Sequence, residues 1–237
     1  MRDASPTNGS EIDLEPGPPA VPSGRYSVEN IDLHGGRLCL DFANTAVWRL
    51  SPQPEETLLD YAALLAWSRR AGGLDGPEVE SLQTAAAARP DEAAAVLARA
   101  IELREAINLV FVAATLGRSP RAADLAVLNA ALAEAMAHAT VRTDPVGFVW
   151  DWSANADAGS SGPNLARPLW PIARSAAELL VGPERARVKR CPGTKCGWLF
   201  LDTSKNASRR WCDMAVCGNR ARVRAFAARK RANAGRS

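Results

Sequence analysis

The chain has 237 residues, of which 47% are hydrophobic. That apolar content is ample for a folded core and excludes a wholly disordered chain, while no run reaches the ~18 to 20 apolar residues of a membrane span. The net charge of +3 conceals an asymmetry: from Arg185 onward 15 bases face two acids, a balance of +13, which leaves 14 bases and 24 acids, or −10, for the rest. A basic module on an acidic body points to a polyanionic partner.

In chain order, residues 1–24 are rich in Pro, Gly, Ser and acids and read as a disordered arm. They lack the apolar core of a secretory signal, so a cytoplasmic location is expected. After the His34-Gly35-Gly36 turn, Leu38, Leu40 and Phe42 alternate with Arg37, Cys39 and Asp41, the pattern of a strand. A helix is expected from Pro54-Glu55-Glu56 to Gly72-Gly73, and a shorter one over Pro77–Ala88. The longest helix is expected to be capped by Asp91 and ended by Gly117, and a further one spans Pro120–His138. Val141–Trp152, with its Asp144-Pro145-Val146-Gly147 centre, reads as a hairpin. Residues 156–162 read as a small-residue loop, and Leu165–Val181 as one more amphipathic helix before the Gly182-Pro183 break.

Four of the five cysteines follow that break as two pairs. Four residues separate Cys191 from Cys196, four separate Cys212 from Cys217, and fifteen lie between the pairs. Short pairs each wrap backbone around a metal, and the intervening segment brings the second pair back, which is the pattern of a closed tetrahedral Zn²⁺ site. Four sulfurs leave no open position, so one structural zinc is expected, with disulfides disfavoured in a reducing compartment. Between the pairs, Trp198–Leu201 is expected to form a strand with Ser208–Trp211 as its partner. A helix from Cys217 to about Ala232 would then pack Val223, Phe226 and Ala227 on the zinc core. Hairpin, then helix, with a cysteine pair at each entry describes a treble-clef-like module. The fold class is therefore α+β and mostly helical, with a helical N-terminal domain carrying a small antiparallel sheet and a C-terminal zinc finger.

The RRWC stretch at Arg209–Cys212, followed by Cys217-Gly218-Asn219-Arg220, resembles the CGNR zinc finger over roughly residues 187–231. The sequence CGWLFLDTSKN from Cys196 resembles that family's first half. Asp213 stands where Ser is commoner, and Gly193-Thr194-Lys195 departs from the usual first knuckle. The GGRLCLDFANT stretch at Gly35–Thr45 resembles the opening of the ABATE domain, which usually precedes this finger. The resemblance implies a DNA-binding regulator of transcription in the stress response, divided into residues 1–24, an ABATE-like domain over 25–183 that senses a small ligand or dimerises, and a finger over 184–237.

The cations expected to meet nucleic acid are Arg209, Arg210, Arg220, Arg222, Arg224, Arg229, Lys230 and Arg231, since arginine forks suit phosphates and base edges. For Arg220, hydrogen bonds to carbonyls near the zinc are an equal reading. The same charge would suit RNA or an acidic protein, and a homodimer is compatible with the layout. Asp41, Asn44, Thr45 and Arg49 form the densest polar group of the N-terminal domain. A ligand pocket is one reading of them, and capping with a structural ion pair the other. His34 and His138 read as isolated surface or turn residues, and Cys39 as a buried small hydrophobe. No phosphate loop, nucleophile elbow or paired-acid motif is present, so an enzyme is not expected.

Overall fold

The computed structural model describes residues 25–145, 147–152 and 162–234; the arm at 1–24 and most of the loop expected over 156–162 lie outside them. The helical elements are α1 (Leu38–Ala43), α2 (Tyr61–Arg70), α3 (Gly76–Ala88), α4 (Pro90–Thr115), α5 (Ala122–His138), α6 (Leu169–Val181) and α7 (Asn219–Ala234). Three two-stranded antiparallel ladders join them: β1 (Ala46–Val47) with β2 (Glu55–Glu56), β3 (Thr140–Asp144) with β4 (Gly147–Asp151), and β5 (Val188–Arg190) with β6 (Leu199–Leu201). A 3₁₀ turn over Pro183–Arg187 and a π turn over Met214–Gly218 complete the order. Among the described residues no helix is long and apolar enough to cross a membrane.

Local chemistry sets the helix starts. Asp60 accepts from the Ala63 N–H at 2.7 Å, and Asp75 with Glu78 forms a capping box at the head of α3. The 26 residues of α4 extend about 39 Å. Its first residue is Pro90, whose missing N–H is harmless there, and Asp91 sits in the first turn rather than capping the helix. The expected helix from Pro54 is also corrected. Glu55 and Glu56 are extended and pair with Val47 and Ala46, which lets Glu56 reach Arg104 on α4 at 2.6 and 2.7 Å.

The expected strand at Leu38–Phe42 is instead helix α1. Cys39, Leu40, Asp41, Phe42 and Ala43 are all buried, so the run has no solvent face for alternation to mark, and a short apolar run does not distinguish strand from buried helix. α1 is wedged between α4 and α6, with β6 of the finger against it. One continuous core joins Phe42, Trp67, Phe111 and Trp170 of the helical domain to Trp198, Leu199, Phe200 and the four finger cysteines.

The β5–β6 ladder carries a second correction. β6 pairs with Val188–Arg190, and Ser208–Trp211 forms no strand. The other edge of β6 is taken by the helical domain. Leu199 donates its N–H to Asn44 Oδ1 at 2.9 Å and accepts from Asn44 Nδ2 at 2.8 Å, and Leu201 N–H donates to the Gly35 carbonyl at 2.8 Å. The 207–209 backbone is held by side chains instead: Ser204 Oγ accepts from the Ser208 N–H at 2.9 Å, and Lys189 Nζ donates to the Arg209 carbonyl at 3.1 Å.

Candidate zinc centre and nucleic-acid interface

Cys191 leaves β5, Cys196 precedes β6, Cys212 stands just before the π turn that leads into α7, and Cys217 lies within that turn. The four sulfurs lie within 4.8 Å of one another, with Cys196 to Cys212 at 3.5 Å and Cys212 to Cys217 at 3.7 Å. A disulfide would need about 2.05 Å, whereas a tetrahedron with Zn–S bonds of about 2.3 Å has edges of about 3.8 Å. All four thiols are free and buried, so the donor set and the spacing fit zinc. The first knuckle is tight: a Cβ on Gly193 would lie 3.0 Å from Cys196 Cβ and 3.4 Å from Cys217 Sγ. Gly197 turns with φ +74°, and a Cβ there would meet Leu50 at 2.8 Å, so the finger sits directly on the loop after β1.

That loop and the 32–35 turn form the joint. Trp198 Nε1 donates to the Ala46 carbonyl at 3.1 Å and Leu50 N–H to the Lys195 carbonyl at 3.1 Å. His34 Nε2 lies 3.0 Å from Asp213 Oδ2, while Asp213 Oδ1 accepts from the Ala215 and Val216 N–H groups and caps the π turn. The Asp213 carboxyl is held below the usual range: burial opposes its charge, but those N–H groups and His34 outweigh it. Asp202, fully buried, is held well below that range in the same way. Burial again opposes its charge, but Lys189 Nζ at 2.6 Å and the Ser204 hydroxyl and N–H outweigh it.

Arg209 and Arg220, both expected at the nucleic-acid surface, sit inside this architecture. Arg209 stacks over Phe200 at 4.5 Å and donates to the carbonyls of Trp211 at 3.1 Å, His34 at 3.2 Å and Leu201 at 3.4 Å, and also to that of Cys212. Its fork is thus engaged by backbone on both sides of the joint. Arg220 lies over the Trp48 indole at 4.3 Å, a cation–π contact rather than a carbonyl clamp. Arg210 stands over Trp211 at 5.4 Å and is exposed. Arg222, Arg224, Arg229, Lys230 and Arg231 are exposed on α7, with no hydrogen-bond or ion-pair partner among the described residues. The expected packing of Val223 and Phe226 on the zinc core is corrected: they are 61% and 65% exposed, and α7 buries no residue. The finger's apolar side, led by Trp198 and Leu199, faces the helical domain instead.

The four polar residues of the N-terminal domain all have internal partners. Asp41 accepts from the Gly35 N–H at 2.7 Å, Asn44 clamps Leu199, and Thr45 Oγ1 donates to the Phe42 carbonyl at 2.8 Å. Arg49 pairs with Glu105 at 2.5 Å and donates to the Ala43 carbonyl at 2.8 Å. None of the four lines any of the three cavities around the finger. Burial pushes the Cys39 thiol up to about 12, which fits a packing role.

Sequence reasoning misses Trp48 and the partners of His34. Trp48 is 7% exposed with φ +53°, and nothing in its local sequence distinguishes it. His34 is brought to Asp213 across 179 positions, so it is not an isolated turn residue. His138 stacks on Trp170 at 4.3 Å.

Residues 36–183 match the ABATE family, described as "Putative stress-induced transcription regulator". Residues 187–230 match the CGNR zinc finger. No curated protein matches the chain.

Proposed function

We propose that this chain, which belongs to the ABATE family and carries a CGNR zinc finger behind its ABATE domain, is a cytoplasmic transcription regulator that grips duplex DNA with α7. The observation that carries the reading is the state of α7. Five exposed cations follow one another on a helix about 24 Å long, with no acid after Asp213 and no internal partner among the described residues. Charge left unpaired in this way suits phosphates, whose neutralisation releases counterions. The zinc fixes the start of α7, and Arg220 on Trp48 ties that start to the helical domain. In this reading the helical domain is the sensing half, and a small ligand that alters the joint would alter how α7 is presented.

The test is affinity for duplex DNA against salt concentration, using the zinc-loaded full chain. A steep inverse dependence is expected. Arg222→Ala, Arg224→Ala and Arg229→Ala should each lower the slope by about 0.9 for every phosphate left without its cation. A slope unchanged in the triple variant would refute DNA as the target of α7. Tighter binding of single-stranded RNA or of an acidic protein in direct competition would move the assignment to that partner.

A further inference from the structure

Beside the zinc centre lies a small cavity of about 50 Å³, room for a few water-sized groups. Trp48 and three of the four zinc cysteines, Cys196, Cys212 and Cys217, line it, and Asp32, His34 and Asp213 supply its other polar groups. His34 Nε2 stands 3.0 Å from Asp213 Oδ2 and 3.6 Å from Asp32 Oδ2, and the three donor atoms lie within 4.8 Å of one another. One hydrogen bond does not account for this convergence. An imidazole Nε2 carries a single proton or a single lone pair, so it serves one carboxylate and leaves the second unexplained. A cation at the centre serves all three. With bonds of about 2.1 Å, neighbouring ligand atoms are about 3.0 Å apart in octahedral and about 3.4 Å in tetrahedral geometry, which brackets the shorter separation and lies close to the longer one.

Two independent features support an occupant. Asp213 Oδ1 is fixed by the Ala215 and Val216 N–H groups, so the carboxylate is held with Oδ2 toward His34. The Trp48 indole, 7% exposed and part of the cavity wall, has its Nε1–H buried with no acceptor among the described residues. A water in the cavity, whether free or bound to a metal, would give that N–H an acceptor.

We propose that Asp32, His34 and Asp213 form a second divalent-cation site, distinct from the four-cysteine zinc centre, with open coordination positions facing the Trp48 cavity. One imidazole and two carboxylates are harder donors than four thiolates, so the site takes a first-row ion such as Mn²⁺, Fe²⁺ or Zn²⁺ in an exchangeable manner. Its ligands come from both sides of the joint, so the ion staples the finger to the helical domain. The proposal does not depend on DNA being the partner of α7.

The probe is Mn²⁺, which thiolates do not favour. Full-length protein is loaded with zinc, desalted to one zinc per chain and titrated with Mn²⁺ while the free-ion electron paramagnetic resonance signal is followed. One Mn²⁺ per chain should bind, and a second equivalent of zinc should displace it. His34→Ala and Asp32→Asn should each weaken Mn²⁺ by more than the 10- to 100-fold that loss of an outer partner costs, while both retain the first zinc. Asp32 is 62% exposed in its side chain, so Asp32→Asn decides the matter if His34→Ala fails to fold. No Mn²⁺ uptake by the parent protein, or uptake unchanged in Asp32→Asn, overturns the proposal.

Discussion

Arg209 and Arg222 are thirteen positions apart in the same finger and carry the same charge, yet they stand at opposite extremes. Arg209 donates to four carbonyls and stacks on Phe200, whereas Arg222 is exposed and has no partner among the described residues. The same division runs through the molecule. Arg104 is 4% exposed and grips Glu56 and Glu105, while Arg224, Arg229 and Arg231 extend along α7 without a partner among those residues. Arginines that hold the fold and arginines available to a partner are thus alike in composition and separated only by what their donors meet. A charge of +13 in the last part of the chain overstates the surface offered to a partner, and α7 holds the longest run of cations without an internal partner among the described residues, with Arg190, Lys195 and Lys205 exposed elsewhere in the finger.

Zinc removal should break the first group most severely. Structural zinc supplies about 10 to 16 kcal/mol of apparent folding free energy to small finger peptides. Here the finger also shares its core with the helical domain. Chelation, or Cys212→Ser, should therefore expose the Leu199 and Leu201 amides, which Asn44 and Gly35 protect, and lower the melting temperature of the whole chain. Hydrogen exchange and calorimetry read this. Helical-domain melting that is indifferent to zinc would show the joint to be weak.

Arg104→Ala should come next, at about 3 kcal/mol, because it leaves a hole in the core and takes the cation from the half-exposed Glu56, while Glu105 keeps Arg49. Chemical denaturation measures the loss. A cost below about 1 kcal/mol would place Arg104 with the surface ion pairs instead.

Asp41 gives a pH-dependent comparison. Burial raises its carboxyl to about 6, against the opposing Gly35 N–H, compared with about 3.9 in an unfolded chain. A raised pKa means that the folded state holds the proton more tightly. Its stabilising contribution is thus complete below about pH 4 and is lost as pH rises through about 6. A shift of about two units corresponds to about 3 kcal/mol. Asp41→Asn keeps an acceptor for Gly35 and cannot ionise. Its stability relative to the parent should therefore rise between pH 4 and 7 and be flat above. A difference independent of pH across that window would mean that Asp41 ionises normally.

The zinc ligands are legible in the sequence because metal geometry is local: two short pairs and a fifteen-residue return specify it without tertiary context. α2 to α6 are legible from periodicity, although their ends shift where a stronger cap such as Asp60 or a buried pair such as Glu56–Arg104 takes over. α1 imitates a strand because it is buried on every side. The partner of β6 is hidden because its free edge is closed by distant groups of the helical domain, the Asn44 side chain from 155 positions away and the Gly35 carbonyl. His34 and Trp48 carry no local signature at all, since their surroundings exist only once the finger is folded onto the 32–50 segment. The sequence thus identifies what binds metal, and the fold identifies what that metal centre is fastened to.

The smallest expected effect on stability is also the sharpest test of the division between the arginines. Removing Arg209 deletes charge-assisted hydrogen bonds worth about 1.5 to 3 kcal/mol each and leaves carbonyls around the zinc knuckle unpaired. Arg209→Ala should therefore lower stability by at least about 2 kcal/mol and weaken zinc retention. Removing Arg222 and Arg224 together breaks no internal hydrogen bond or ion pair among the described residues. The double alanine variant should therefore stay within about 0.5 kcal/mol of the parent, aided slightly by the high helix propensity of alanine. The two variants should exchange rank when the readout is polyanion affinity at fixed salt, measured under conditions where both remain folded and zinc-loaded. If Arg222→Ala with Arg224→Ala destabilises the chain as much as Arg209→Ala does, then α7 is packed against something, and its cations belong with those that hold the fold. If instead Arg209→Ala is silent in stability and costs affinity, the carbonyl cage around its guanidinium opens when a partner binds, and the division drawn from the structure fails at that residue.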